Sequence, residues 1–219
     1  MNWSEFYQKV LMERNEGNNS CLCGENRNAL ETRIFVLNSV RAIFQNTSRF
    51  KDISLEERKI IGGVANESET QWNYFGSMRG NGLFYNRIND NNEYLSLALN
   101  EIPLFGKITK NKFKKCVKYY KKAFGEGGRG AGIATITRLL SMKRPDYFVC
   151  LNGMNGKRIF KLFGIVKTIE PKEYDRYWDE IVDSIIKSDW WNSRRPSADE
   201  ELQVWLGRAA FLDSIAYYG

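Results

Sequence analysis

The chain has 219 residues, of which 42% are hydrophobic, so it is long enough to bury a core as one domain or as two lobes. It contains no histidine, which excludes Ser-His-Asp and Cys-His catalysis, HNH-type nucleases and histidine-ligated zinc deaminases. Its formal net charge of +7 indicates a polyanionic partner such as nucleic acid.

The apolar stretches and the cysteines indicate the cellular compartment of the protein. No run of about 18 apolar residues could span a membrane, and the N-terminus lacks a signal-peptide core. Of the four cysteines, Cys21 and Cys23 are too close in sequence to favour a disulfide. We therefore expect a cytoplasmic protein. A zinc site would have to draw on these cysteines and on carboxylates, and packing roles are the simpler interpretation.

Helical periodicity runs through the first 65 residues, and no segment shows the alternation of a strand. The pattern predicts an amphipathic helix near the N-terminus, a polar loop over 15–28, a helix over 29–45, and a shorter helix over 55–64 after Ser54 as N-cap. The predicted stripes consist of Trp3, Phe6, Tyr7, Val10 and Leu11, and of Ile34, Leu37, Val40, Arg41 and Phe44.

The segment from Asn66 to Asn92 is rich in asparagine, glycine, serine and aromatic residues. It looks too irregular for a helix, so we predict a long structured loop, an element that often binds ligands. Its aromatic side chains are candidates for a base pocket or for a wedge in a duplex. These candidates are Trp72, Tyr74, Phe84 and Tyr85. Covering the core beneath the loop is the alternative role.

From Thr109 onward the sequence predicts a buried helix stripe with lysines on the other faces. We expect four of these lysines to contact DNA: Lys114, Lys118, Lys121 and Lys122. The glycine-rich bend from Gly125 to Gly132 leaves backbone amides open, and the helix predicted over 133–140 directs its positive end toward the bend. Phosphate is therefore the expected ligand, although glycines also serve in any flexible turn.

Gly130 to Thr135 form the pattern Gly-x-Gly-x-x-Thr, and this pattern resembles the hairpin of the helix-hairpin-helix DNA glycosylases, which include endonuclease III and the oxoguanine glycosylases. In that superfamily a turn containing proline and a catalytic aspartate follow about twenty residues after the hairpin. Here Pro145 precedes Asn152, which lies twenty residues after Gly132. The resemblance covers roughly 113–163, and the basic residues that it assigns to DNA contact are Arg129, Lys157 and Arg158, with the hairpin glycines Gly130 and Gly132.

Two positions depart from the family. Asn152 stands where the family has its aspartate, and an amide cannot accept a proton as a general base. Ala134 stands where lyase-competent members have a lysine, so the resemblance implies a monofunctional enzyme without Schiff-base chemistry. The family's terminal iron-sulfur cysteines are also absent, and we expect no metal and no cofactor.

The C-terminal region supplies a candidate second catalytic group. Ser197 and Glu200 have the spacing of a capping box at the start of a final helix, and Asp213 lies beside the apolar stripe of that helix. A carboxylate there needs a partner such as Arg158, Arg208 or an amide, and a structural pair with Arg208 is the alternative to catalysis. The predicted stripe of this helix is Leu202, Trp205, Ala209, Leu212 and Ala216.

The segment before that helix predicts one more amphipathic helix over 174–186. It is followed by two tryptophans and two arginines, which could hold nucleic acid or cover the core. These residues are Trp190, Trp191, Arg194 and Arg195.

Taken together, the sequence predicts an all-α fold of two helical lobes, 1–108 and 109–219, with a helix-hairpin-helix-like element and a cleft between the lobes. The predicted function is a monomeric DNA glycosylase that flips and excises a modified base, in repair or in antiviral defence. Asn152 and Asp213 are the predicted catalytic residues. A catalytically inert DNA-recognition module of a restriction-type defence system is the alternative, and a metal-dependent nuclease is a weaker third hypothesis.

Overall fold

The computed structural model describes residues 1–12, 28–65, 69–125 and 128–218, and it is all-helical, with no strand among these residues. The all-α prediction is thus confirmed. The predicted loop over 15–28 lies almost wholly outside the described residues, as do Cys21 and Cys23. None of the described helices combines the length and the apolar character that a membrane crossing requires.

The described residues of the first hundred form α-helices and two short 3-10 turns ahead of the glycine-rich bend. They are α1 (Trp3–Met12), α2 (Ala29–Asn46), a 3-10 turn (Phe50–Asp52), α3 (Leu55–Gly62), a 3-10 turn (Thr70–Asn73), α4 (Gly82–Asn89) and α5 (Glu93–Asn100). The helices α1, α2 and α3 were predicted close to these bounds. Ser54 caps α3 in a reciprocal capping box with Glu57, as its sequence position indicated.

The second half contains the helices on both sides of the bend and the C-terminal helices. They are α6 (Lys110–Ala123), α7 (Ile133–Lys143), α8 (Gly156–Leu162), α9 (Tyr174–Arg176), a π-helical segment (Tyr177–Val182), α10 (Asp183–Lys187), α11 (Asp199–Leu206) and α12 (Leu212–Tyr218). The segments α9, π and α10 follow each other without a break, so the predicted amphipathic helix over 174–186 is confirmed.

Two predictions about local structure are wrong. The segment 66–92 is not one irregular loop, because it contains the 3-10 turn Thr70–Asn73 and the helix α4. The single final helix is divided into α11 and α12, and Ala198, not Ser197, stands at the N-cap of α11 without a side-chain hydrogen bond. In both places turns separate short helices whose apolar residues pack in the core.

The buried apolar side chains form one continuous cluster that includes residues from both predicted lobes, for example Leu37, Phe75, Phe113 and Phe211. The helix α7 lies at its centre, because its side chains from Thr135 to Met142 are all buried. The predicted division of the chain near residue 108 stays a prediction.

Candidate functional site

A groove of about 580 Å³ lies where the glycine-rich bend meets the loop before α8. Four of the residues predicted from sequence line it together: Gly130, Gly132, Asn152 and Lys157. The first turn of α7, Phe160 and the segment 168–172 complete its walls. We call this feature the hairpin groove. Gly132 and Asn152, which are twenty positions apart in sequence, therefore share one surface.

The bend keeps its shape through glycine conformations. Gly130 has a φ of 85°, and a Cβ at this position would lie 2.8 Å from the Cβ of Leu83 on α4. Any other residue would therefore be strained and would also clash with α4. On the other side, the amide of Ile133 at the start of α7 donates to the carbonyl of Pro171 at 2.9 Å. The bend is thus held between α4 and the segment 168–172.

The amide of Ala131 donates to the carbonyl of Gly128 at 3.1 Å, and that of Gly132 donates to the Oγ1 of Thr135 at 3.4 Å. The prediction that the amides of the bend are open to phosphate is therefore wrong at these positions, because the bend and the first turn of α7 satisfy them.

Asn152 ends an apolar run and organises the tight turn before α8. Its Oδ1 accepts the amides of Met154 (2.8 Å) and Asn155 (3.2 Å), and its own amide donates to the Oδ1 of Asn155 at 2.9 Å. Both lone-pair sites of its side-chain oxygen are therefore engaged. The Nδ2 group lies on the side that faces Gly76 and donates to the Sγ of Cys150, so one of its two N–H groups is already engaged. Asn152 can donate a hydrogen bond to a ligand, but it cannot take up a proton.

Asp213 lies behind this turn and not in the groove. Its carboxylate is buried, accepts the Nη1 of Arg33 at 2.9 Å and accepts the Nδ2 of Asn155 at 2.6 Å. The same Asn155 donates to the carbonyl of Cys150 at 2.7 Å, so a chain of hydrogen bonds joins α2, α12 and the Asn152 turn. The amide partner was predicted, but the arginine is Arg33 and not Arg158 or Arg208. Burial and full pairing favour a positioning role over the predicted catalytic one.

The two arginines that were expected near Asp213 have other contacts. Arg158 donates from Nη1 to the carbonyls of Ala216 and Tyr217, each at 2.6 Å, and so caps the end of α12. Arg208 donates to the carbonyls of Trp191 (3.0 Å) and Trp205 (2.8 Å), and burial lowers its pKa to about 10. Arg158 therefore has a structural role, although its side chain remains exposed. Arg129 is exposed in the bend.

The lysines of α6 are exposed, as predicted, but their surroundings differ. Lys114 pairs with Asp175 at 3.5 Å, which offsets its charge. Lys121 and Lys122 line a second hollow of about 320 Å³ next to the bend, together with Lys172 and Tyr174. Among the described residues Lys118 has no carboxylate partner. The positive charge is thus concentrated at the C-terminal end of α6, beside the bend.

The aromatic candidates divide by burial. Trp72 and Phe84 are core residues that are at most 7% exposed, so they do not form the predicted base pocket or wedge. Tyr74 is half-buried, with the Arg33 guanidinium 4.7 Å from its ring centre. Of the four candidates, Tyr85 alone is exposed. In the C-terminal segment Trp190 is likewise buried and stacks on Phe6 with 4.4 Å between the ring centres.

Arg138 on α7 explains why the aromatic segment is packed and not free. Its side chain is fully buried, and it donates to five backbone carbonyls, namely those of Ile60, Ile61, Trp72, Tyr74 and Gly76. Gly76 has a φ of 100°, and a Cβ there would lie 2.6 Å from the Sγ of Cys150. The segment 72–76 is therefore held directly against the Asn152 turn. Burial lowers the pKa of Arg138 to about 10, which still leaves it charged near neutral pH.

The groove residues that sequence patterns missed include the polar residues Asn81, Thr168, Glu170 and Lys172. Lys172 lines both the hairpin groove and the second hollow, the one that Lys121 and Lys122 also line. Its position directly after Pro171 was the available signal, because a charged residue in a proline-containing turn is expected at the surface. The approach of 168–172 to the bend is a tertiary contact that no local pattern indicates.

No cluster of three or more metal-ligating side chains occurs in the described parts of the chain. Cys116 and Cys150 are both buried thiols, and burial raises the pKa of each to about 12. Comparisons of the chain with protein-family models, with curated proteins and with solved structures found no match. Any functional proposal therefore depends on the chemistry of the groove.

Proposed function

We propose that the protein is a monofunctional DNA glycosylase, acting as a cytoplasmic monomer without a cofactor on a modified base, in repair or in antiviral defence. The observation that carries the proposal is the hairpin groove, which joins Gly130, Gly132, Asn152 and Lys157 beside the basic end of α6. The lysines suit the phosphates of the DNA backbone, and the largely apolar walls with a few polar side chains suit a nucleotide base that has left the helix.

Asn152 contributes to the reaction by position and not by charge. Breaking the N-glycosidic bond develops positive charge on the sugar, and an N–H donor does not stabilise such a charge. The bonds that the Oδ1 of Asn152 accepts fix the orientation of its Nδ2, which can then orient a sugar oxygen or a water molecule. The buried chain through Asn155 and Asp213 to Arg33 supports that orientation from behind.

The proposal is tested with phage DNA that carries modified bases, incubated with purified protein with and without EDTA and then treated with alkali. Breaks that require alkali indicate base excision, and direct breaks that EDTA prevents indicate a nuclease. The second candidate is an inert DNA-recognition module, favoured by the engaged oxygen of Asn152. DNA that is bound but stays intact supports this second candidate.

A variant of Asn152 sharpens the test. Serine keeps an oxygen that can cap the turn but lacks the amide donor, so Asn152→Ser should fold like the wild type. We expect base release in single-turnover experiments to fall at least about tenfold, which is about 1.4 kcal/mol of barrier. The control is Asn46→Ser, at the exposed end of α2. A wild-type rate in Asn152→Ser would remove Asn152 from the mechanism.

A further inference from the structure

Among the described residues that line the hairpin groove, only Glu170 carries a carboxylate. It precedes Pro171, whose carbonyl accepts the amide of Ile133 at 2.9 Å, so Glu170 lies beside the first turn of α7. A Cβ at Gly132 would be 3.8 Å from the same carbonyl. Glu170 is therefore part of the wall that faces the glycine-rich bend.

The backbone around Glu170 is held firmly although its side chain is exposed. Its amide donates to the carboxylate of Glu173 at 2.9 Å, and its carbonyl accepts the amide of Glu173 at 3.0 Å. Arg176 donates to the carbonyls of Lys167 and Thr168, each at 2.9 Å, and to the carboxylate of Glu173 at 2.6 Å. Glu173 is thus neutralised within the segment, while the Glu170 carboxylate has no partner among the described residues.

The other candidates for a proton acceptor are eliminated by their contacts. Asn152 is an amide, and Asp213 is buried against Arg33 and Asn155 and does not line the groove. An unpaired carboxylate also opposes the binding of phosphate in this basic surface. Its presence therefore needs a reason other than affinity for DNA.

We propose that Glu170 is the general base of the groove, an inference that rests on the proposed glycosylase function. The bond from C1′ to the base nitrogen breaks, and the base leaves with the bonding electron pair. The oxygen of a water molecule bonds to C1′, the proton of that water passes to the Glu170 carboxylate, and the released base takes up a proton in turn. Asn152 orients the sugar or the water through its Nδ2 donor.

The experiment compares wild type, Glu170→Gln and the control Asp189→Asn, which removes one exposed negative charge outside the groove. We expect Glu170→Gln to slow single-turnover base release at least about 100-fold. Its affinity for DNA should be equal or tighter because a negative charge is lost, and its Tm should stay at the wild-type value. The acidic limb of the wild-type pH profile should disappear in Glu170→Gln, and Asp189→Asn should match the wild type throughout.

The failures of the two proposals are distinguishable. Wild-type base release in Glu170→Gln overturns the role of Glu170 and leaves the glycosylase function standing. Weaker DNA binding or a lowered Tm in Glu170→Gln also overturns it, because both indicate a structural or binding role. Absence of base release by the wild type from every modified DNA tested removes the glycosylase function, and the assignment of Glu170 with it.

Discussion

The helices α6 and α7, on the two sides of the glycine-rich bend, use basic residues in opposite ways. On α6 the lysines are exposed around an apolar stripe that includes Phe113 and Tyr120. On α7 nearly every side chain is buried, and Arg138 and Lys143 bond to backbone carbonyls inside the protein. Positive charge on α6 is thus available to a partner, whereas on α7 it holds the fold together. Net charge by itself does not distinguish these roles.

The largest effect that would test this comparison is expected at Arg138. Replacing it with methionine leaves four carbonyls, those of Ile61, Trp72, Tyr74 and Gly76, without a donor, whereas Ile60 keeps the amide of Gly63. Each unsatisfied buried group costs about 1–3 kcal/mol before relaxation. We expect Arg138→Met to lower the free energy of unfolding by at least about 3 kcal/mol in urea titrations. The control Arg87→Met removes a partly exposed pair with Asp90 and should cost at most about 1 kcal/mol. Equal stability of the two variants would contradict the structural role of α7.

A smaller effect, on binding and not on stability, is expected for α6. Changing Lys118, Lys121 and Lys122 together to glutamine should weaken DNA binding at least about tenfold, or about 1.4 kcal/mol, without altering sequence preference. The slope of log affinity against log salt should become shallower by about 0.9 for each phosphate that the variant no longer neutralises. Lys114 is left unchanged because Asp175 already offsets its charge.

The matched control for that experiment removes three exposed lysines that do not line the groove or the hollow and have no carboxylate partner among the described residues: Lys9, Lys107 and Lys161. Both triple variants have the same net charge, so the positions of the removed lysines distinguish them. Equal affinities and equal salt slopes would show that α6 is no specific binding surface.

The smallest effect concerns Lys143 at the end of α7. Burial lowers its pKa from 10.5 to about 8, and its Nζ donates to the carbonyl of Leu99 at 2.8 Å. Between these two pH values the unfolded chain binds more protons than the folded protein, so the free energy of unfolding rises with pH. From pH 8 to pH 9 the gain should be about 1 kcal/mol.

The gain of about 1 kcal/mol is the contribution of Lys143 and not the net change in stability. The buried thiols of Cys116 and Cys150 act in the opposite direction as pH rises through 9, because burial raises the pKa of each from 9.0 to about 12. Chemical denaturation of the wild type and of Lys143→Met at pH 8 and pH 9 isolates the contribution of Lys143. A Lys143→Met variant that keeps the wild-type slope would assign the pH dependence to another group.

Elements with local causes could be predicted from the sequence pattern. The stripes of α1 and α6, the cap at Ser54 and the exposure of the α6 lysines follow from helical periodicity and from side-chain hydrogen bonds within one turn. The spacing from Gly132 to Asn152 also placed both residues on one groove, because α7 and the turn after it connect them directly.

The burial of side chains depends on contacts between distant parts of the chain. Trp72 appeared exposed among polar residues, but Arg138, which is 62 or more residues away from the carbonyls it binds, holds the segment 72–76 in the core. Phe84 is buried on the inner face of α4. Asp213 pairs with Arg33 at the other end of the chain, and Glu170 reaches the groove through the contact of Pro171 with α7. Such contacts depend on distances between elements, which no local pattern in a single sequence contains.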